Sequence, residues 1–173
     1  MEEQIILVDR LDNPLGIIEK MEAHNLGLLH RAFSVFIFNS SGELLLQQRA
    51  LDKYHSAGKW TNTCCSHPKP FEETIKAAKR RLMEEMGMAC ELEYGFNFIY
   101  EATFENELIE HEFDHVYFGI SDELPVINTQ EVASFKYMRL DDLALDLVEN
   151  PDHYTAWLKI CFENIIAFKN KAS

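Results

Sequence analysis

The amino-acid sequence predicts a mixed α/β (α+β) fold, with a mixed β-sheet sandwiched between helices. Three observations carry that expectation. Strand and helix signals follow the order β-β-β-β-α-β-β-β-α-α, with hairpins inside the run, which argues against a doubly wound parallel sheet. The segment from Arg31 to Phe38 is apolar on both faces, as a covered central strand is. The segment from Phe71 to Met86 repeats apolar residues at helical spacing.

Each element has its own local reason. Ile5 to Asp9 reads as a strand, Asp12-Asn13-Pro14 turns it, and Gly16-Ile17-Ile18 returns as its partner. His24 and His30 fall in a turn before the central strand. Asn39-Ser40-Ser41-Gly42 turns that strand into the next, Glu43 to Arg49. A polar loop follows, then Trp60 to His67 in strand-like composition. In the helix, Phe71, Ile75, Ala78, Leu82 and Met86 form the stripe. Glu72 and Glu73 suit its N-terminal end, and Gly87 its exit. Leu92 to Phe104 alternates, with Leu92, Tyr94, Phe96, Phe98, Tyr100, Ala102 and Phe104 expected on one face. Glu110 to Ile120 and Ala133 to Arg139 read as strands. Asp141 to Val148 and Tyr154 to Lys169 read as closing helices.

The chain has 173 residues and no linker or repeat, so a single domain over 1–173 is expected. An apolar fraction of 47% supports a substantial core. With 16 basic and 29 acidic residues the net charge is −13, which disfavours nucleic acid and anionic membranes as partners. No apolar run is long enough to span a bilayer, and the acidic start Met1-Glu2-Glu3-Gln4 does not read as a signal peptide. Four cysteines without C-x-x-C spacing suit a reducing, cytoplasmic setting.

Four constellations could carry chemistry. On a strand, Cys65 and His67 face together and Cys64 faces away, so a thiol and an imidazole share one side. They read as an acid/base or metal pair, or as a small buried cysteine beside a capped histidine. Glu110, Glu112 and Asp114 share a strand face and repel one another unless solvated or bridged by a cation. That face could equally be a charged, exposed edge. His24 and His30 alone read as satisfied histidines. With His67, Glu110 and Glu112 they make a donor set suited to Zn²⁺ or Mn²⁺. Arg81 and Glu85 lie one helical turn apart at the margin of the apolar stripe, either as an ordinary ion pair or as part of a site.

The helix resembles a Nudix box, the motif in which Gly and Glu precede R-E-U-x-E-E-x-G-U, with U apolar. Here Ser66 stands at the Gly, Glu72 at the Glu, and the run reads Arg80-Arg81-Leu82-Met83-Glu84-Glu85-Met86-Gly87-Met88. Ser66 and Arg81 are the departures, and Arg81 replaces a glutamate that Nudix hydrolases use to bind metal. Further segments resemble type I isopentenyl-diphosphate isomerases. They are Arg49-Ala50-Leu51-Asp52-Lys53, Trp60-Thr61-Asn62-Thr63-Cys64-Cys65-Ser66-His67-Pro68 and Glu110-His111-Glu112, with Lys20, His24, His30, Tyr100 and Trp157 in family order.

The resemblance implies a Nudix-type sandwich and a diphosphate isomerase that acts by adding and removing protons. It implies that His24, His30, His67, Glu110 and Glu112 bind one divalent ion, Mn²⁺ or Zn²⁺. Cys65 and Glu112 would be the acid/base groups, with Tyr100 assisting Glu112. Lys20, Arg49, Lys53 and Arg81 would hold the diphosphate as a local cationic patch. Glu85 and the Cys65 main-chain oxygen would hold Mg²⁺ against it, and Trp157 would face a carbocation. A small-molecule diphosphate is the expected partner, and a monomer the expected state. The rival expectations are a Nudix diphosphohydrolase, which Arg81 opposes, and an inactive metal-binding Nudix domain.

Overall fold

The computed structural model describes residues 2–172. A hairpin of β1 (Gln4–Val8) and β2 (Pro14–Glu19) opens the chain and leads into a short helix, α1 (Lys20–Leu26). The central strand β3 (His30–Phe38) follows, then β4 (Leu44–Arg49), β5 (Trp60–Thr61) and β6 (Cys64–Ser66). Helix α2 (Thr74–Met86) leads to the long hairpin β7 (Glu93–Thr103) and β8 (Ile109–Ile120). Strand β9 (Val132–Met138), helix α3 (Leu140–Glu149) and helix α4 (Ala156–Ala172) complete the chain.

Strand β3 organises the sheet. It pairs in parallel with β8 from His30↔Glu112 to Phe38↔Ile120, and antiparallel with β6 on Phe33, Ser34 and Val35. Strand β4 pairs with β3, β5 and β9, and β7 covers the far side of β8. Both faces of β3 are buried, as its composition predicts. Phe33, Val35 and Ile37 pack with Ala77, Ala78, Leu82 and Met86 of α2. Phe36 and Phe38 pack with Leu143 of α3 and with Leu158, Cys161 and Ile165 of α4. The sheet therefore lies between α2 and the α3–α4 pair. Among the described residues no helix is long and apolar enough to cross a membrane.

Five local expectations need correction. His24 is not in a turn but on α1, whose first turn is capped by the Glu19 carboxylate accepting from Met21 N and Glu22 N. A helix this short carries little periodicity, and its markers were Glu19 and Gly27. Phe71 lies outside the α2 stripe: it has φ +66° and is 98% exposed, because the helix starts only at Thr74. Glu72 and Glu73 therefore precede the helix, and Glu72 instead clasps Arg80 Nε at 2.7 Å and Nη2 at 2.9 Å. The Trp60–His67 segment is two short strands, not one. Tyr94 and Phe96 do not share a face, since a bulge at Gly95 lets them oppose the adjacent residues Tyr117 and Val116.

Gly87 ends α2 with φ +61°, and a Cβ built there would meet Val126 O at 2.5 Å. Gly87→Ala combines left-handed strain with a backbone clash, so it should cost about 1–3 kcal/mol. A thermal melt of the variant should fall by several degrees with the fold retained; an unchanged melt would show that the Val126 loop shifts freely.

Candidate active site and metal centre

The sheet register assembles the site. Parallel pairing sets His30 beside Glu112, and antiparallel pairing sets Tyr100 on the other side of Glu112. On the opposite flank of β3, Cys65 pairs with Ser34 and Cys64 with Val35. Strand alternation then turns Cys64 into the α2 core, where it is fully buried, while Cys65 and His67 line a cavity. The same cavity is lined by Glu110, Glu112, Tyr100 and Trp157, and by Lys20, Arg49, Lys53, Arg81 and Glu85.

His24, His30, His67 and Glu112 form a buried donor cluster whose ligand atoms lie within 4.8 Å of one another. His67 Nε2 is 3.0 Å and His30 Nε2 3.5 Å from Glu112 Oε1. Both nitrogens of His24 are buried without a hydrogen-bond partner among the described residues, as is His30 Nε2. Burial holds His24 neutral, its pKa depressed to about 3, and the nearby His67 and His30 add to the effect. A neutral imidazole with idle lone pairs beside a carboxylate suits a divalent cation, so the residues fit a metal. Glu110 stands apart from this cluster. Its Oε2 accepts from Tyr100 Oη at 3.0 Å and its Oε1 is 3.0 Å from His55 Nε2.

Tyr100 also donates to Glu112 Oε2 at 2.7 Å, so one hydroxyl proton lies between two carboxylates. Burial pushes the Tyr100 hydroxyl well above its usual value, and Glu110 and Glu112 push it further. Burial would raise Glu112 too, but the adjacent His30 and His67 imidazoles, with a hydrogen bond to His67, outweigh it and hold the group well below the carboxylate range. Burial likewise raises the Cys65 thiol well above its usual value, with Arg49 pulling it back down. The protein groups around Cys65 thus favour the thiol. Trp157 is fixed by its indole N–H donating to Asn62 Oδ1 at 3.2 Å, and Arg49 lies over its ring at 5.3 Å.

The basic residues are assembled as expected, yet they do not form a bare cationic patch. Lys20 pairs with Glu3 at 2.7 Å, and Lys53 makes a short ion pair with Glu131. Arg81 pairs with Glu85 at 2.5 Å and with Glu84 at 2.9 Å. Glu85 is buried, and its other oxygen accepts from Gln47 Nε2 at 2.9 Å. Among the described residues Arg49 has no carboxylate partner, and Nε of both Arg49 and Arg81 is buried without a hydrogen-bond partner. Each idle N–H is a donor of the kind that phosphate oxygens accept from.

Sequence reasoning missed His55, Gln47 and Glu131, all of which line the cavity. Gln47 left a signal, an amide inside an apolar strand. His55 sits in a polar loop and is stacked on Phe104 at 4.4 Å, a contact no local pattern announces. Glu131 arrives on the segment between β8 and β9 and reads as an ordinary surface charge.

Comparisons with known proteins bear on the family and the fold. The NUDIX domain family matches residues 28–158. The chain is 54% identical to isopentenyl-diphosphate Delta-isomerase 1 of Aromatoleum aromaticum, covering 99% of this chain and 97% of that one. It is 51% identical to isopentenyl-diphosphate Delta-isomerase of Pectobacterium atrosepticum, covering 98% and 97%. Among solved structures, a Deinococcus radiodurans protein superimposes with a TM-score of 0.80 at 18% identity, covering 94% of this chain and 98% of that one. A MutT protein of Methanosarcina mazei gives a TM-score of 0.67 at 19% identity, covering 84% and 96%.

A divalent ion held by residues from α1, β3, the segment after β6, and β8 should tie those segments together. At about 100 times its dissociation constant, an ion bound only by the folded state adds about 2.7 kcal/mol, or roughly 5–10 °C in melting temperature. Titrating Mn²⁺ or Zn²⁺ while following the melt should show that rise in the wild type and lose it in His67→Ala. An equal rise in both would place the ion elsewhere.

Proposed function

Because the chain belongs to the isopentenyl-diphosphate Delta-isomerase family of NUDIX-domain proteins, we propose that it interconverts isopentenyl diphosphate and dimethylallyl diphosphate in isoprenoid biosynthesis. One observation carries the chemical assignment: a single cavity holds a thiol, a tyrosine–carboxylate pair, an aromatic face and unpaired guanidinium N–H groups. A proton-shift on a carbon skeleton carrying diphosphate needs those parts, and the single domain 1–173 contains them all.

His24, His30, His67 and Glu112, with Glu110 beside them, would hold one divalent ion, Mn²⁺ or Zn²⁺. Glu85 and the Cys65 main-chain oxygen would hold Mg²⁺ with the diphosphate. Such ions, when bound, polarise their carboxyl ligands and stabilise anions close by. The protein's own groups carry the proton steps. The Tyr100–Glu112 pair delivers a proton to the terminal alkene carbon, leaving a tertiary carbocation. The Cys65 thiolate removes a proton from the neighbouring methylene carbon, and the double bond forms one position along. The diphosphate is unchanged. Burial favours the thiol at Cys65, so the Arg49 charge, and any bound cation, is needed to bring the thiolate into reach. An indole face stabilises a cation by about 0.5–2 kcal/mol, and more when water is excluded. Trp157 is held by Asn62 to present such a face. The reaction also requires that water be kept from the cation, which it would trap as an alcohol.

The hydrolase alternative has less support. Arg81 occupies a metal-binding position of the Nudix box and engages Glu84 and Glu85 itself. A hydrolase also gives no use to Cys65 or to the buried histidine cluster. A cytoplasmic monomer is the corresponding reading, and four free cysteines suit a reducing compartment.

Isopentenyl diphosphate in D₂O with Mg²⁺ should give dimethylallyl diphosphate labelled in the new methyl group, without phosphate release. Phosphate release with no deuterium in carbon would overturn the isomerase reading. Cys65→Ala and Glu112→Gln should each lose at least 10²–10⁴-fold in turnover. Cys64→Ala should stay active, because that side chain packs against α2. A dead Cys64→Ala with a native melt would reverse the assignment of the two thiols.

A further inference from the structure

Glu131 presents its carboxylate to the anion end of the cavity. It pairs with Lys53, and its Oε2 lies 3.6 Å from Arg81 Nη2. Both cations are among those proposed above for the diphosphate, so the carboxylate occupies part of the space that a phosphate group needs. Burial would raise the Glu131 carboxyl, but the Lys53 hydrogen bond and the charges of Lys53 and Arg81 hold it below its usual value. It is therefore an anion at neutral pH.

The two carboxylates that reach Arg81 inside this cavity differ in how they are held. Glu85 is buried and gripped from both sides, by Arg81 at 2.5 Å and by Gln47 at 2.9 Å. Glu131 is partly exposed, and its only side-chain partners among the described residues are Lys53 and Arg81. Its backbone is fixed, with Glu131 N donating to Asn128 O at 2.9 Å and Ala50 N donating to Glu131 O at 3.1 Å. The side chain can therefore swing away while the chain stays in place.

We infer that Glu131 is the resident counter-ion of the diphosphate site, a carboxylate that the incoming diphosphate must displace from Lys53 and Arg81. This rests on the diphosphate reading above. The physical reason is crowding of like charge. A carboxylate and a phosphate oxygen at contact distance repel, and each unit of charge lowers affinity about fivefold even at the dielectric constant of water. Without Glu131, Lys53 and Arg81 would face each other, and nearby Lys20, with less compensation. With it, the site is preassembled and close to neutral. That repulsion grows with the charge of the ligand, so a diphosphate binds only once the Glu131 carboxylate has left Lys53 and Arg81.

The test is calorimetric binding of inorganic pyrophosphate and of orthophosphate to the whole protein without divalent cations. Glu131→Gln keeps the shape and removes the charge. It should bind pyrophosphate at least about fivefold more tightly than the wild type, and the gain for the less charged orthophosphate should be smaller. Glu131→Asp keeps the charge and should stay close to the wild type. Melting curves of both variants check the fold. Equal or weaker pyrophosphate binding by a folded Glu131→Gln overturns the inference. Binding that weakens only when Mg²⁺ is added would make Glu131 a cation ligand and overturn it as well. If pyrophosphate binds neither wild type nor variants, and does not inhibit turnover, the diphosphate reading itself falls and takes this inference with it.

Discussion

The parallel register between β3 and β8 is the constraint on which the site depends. It places His30 against Glu112 at one end and continues without interruption to Phe38↔Ile120. A slip of one residue would turn every side chain of β8 to the other face. Glu110, Glu112 and Asp114 would then point at the wrong layer. The register is held by the core and not by the site. Phe33, Val35 and Ile37 must meet α2, while Phe36, Phe38, Val116 and Phe118 must meet α4. Burial of a large apolar side chain is worth about 1.5–3 kcal/mol, so several such residues outweigh the cost of grouping carboxylates at one end of the strand.

That grouping is managed by giving each carboxylate a different environment. Glu112 is ionised among imidazoles, and Glu110 shares the Tyr100 hydroxyl with it. Asp114, one step deeper, is pushed well above the carboxylate range by burial and by Glu112, and only the hydrogen bond from Ser34 at 2.7 Å opposes this. A buried carboxyl next to an ionised one prefers to stay neutral. The row therefore does not carry three full negative charges. The sequence suggests either solvation or a bridging cation for this row, and protonation of Asp114 adds a third means of relief.

The sandwiched sheet, the α2 helix between strands and the opposite facing of Cys64 and Cys65 were legible in the sequence, because strand and helix periodicity report them directly, whereas the short α1 and the split of β5 from β6 were not. Tyr94 was misplaced because a single-residue bulge at Gly95 shifts the phase of alternation, and a glycine is its only mark. Phe71 was misplaced because an apolar residue at helical spacing looks the same whether or not the chain has yet entered the helix. At the site, residues in family motifs were found, and residues that act through tertiary contact were not. Gln47 and Glu131 come to the cavity from β4 and the segment before β9, and only the folded sheet brings them to Arg81 and Glu85. The charge of the site was misjudged for the same reason. Counting bases finds a cationic patch, whereas the structure pairs Lys20, Lys53 and Arg81 with carboxylates.

Near-neutrality at the anion end has a consequence for the chemistry at the other end. A tertiary carbocation is destabilised by nearby uncompensated positive charge and stabilised by carboxylates and aromatic faces. Here the lysines and Arg81 are neutralised by Glu3, Glu85 and Glu131, and Arg49 is turned over the Trp157 ring. Glu110 and Glu112 remain on the side where the proton is delivered. Arg81 at a box position of the Nudix helix contributes to both effects. It places an arginine that pairs with Glu85 where the box has a glutamate. In the proposed reaction this helix grips the diphosphate in place of serving water attack on phosphorus, and the reacting carbon atoms are left to Cys65, Tyr100 and Glu112.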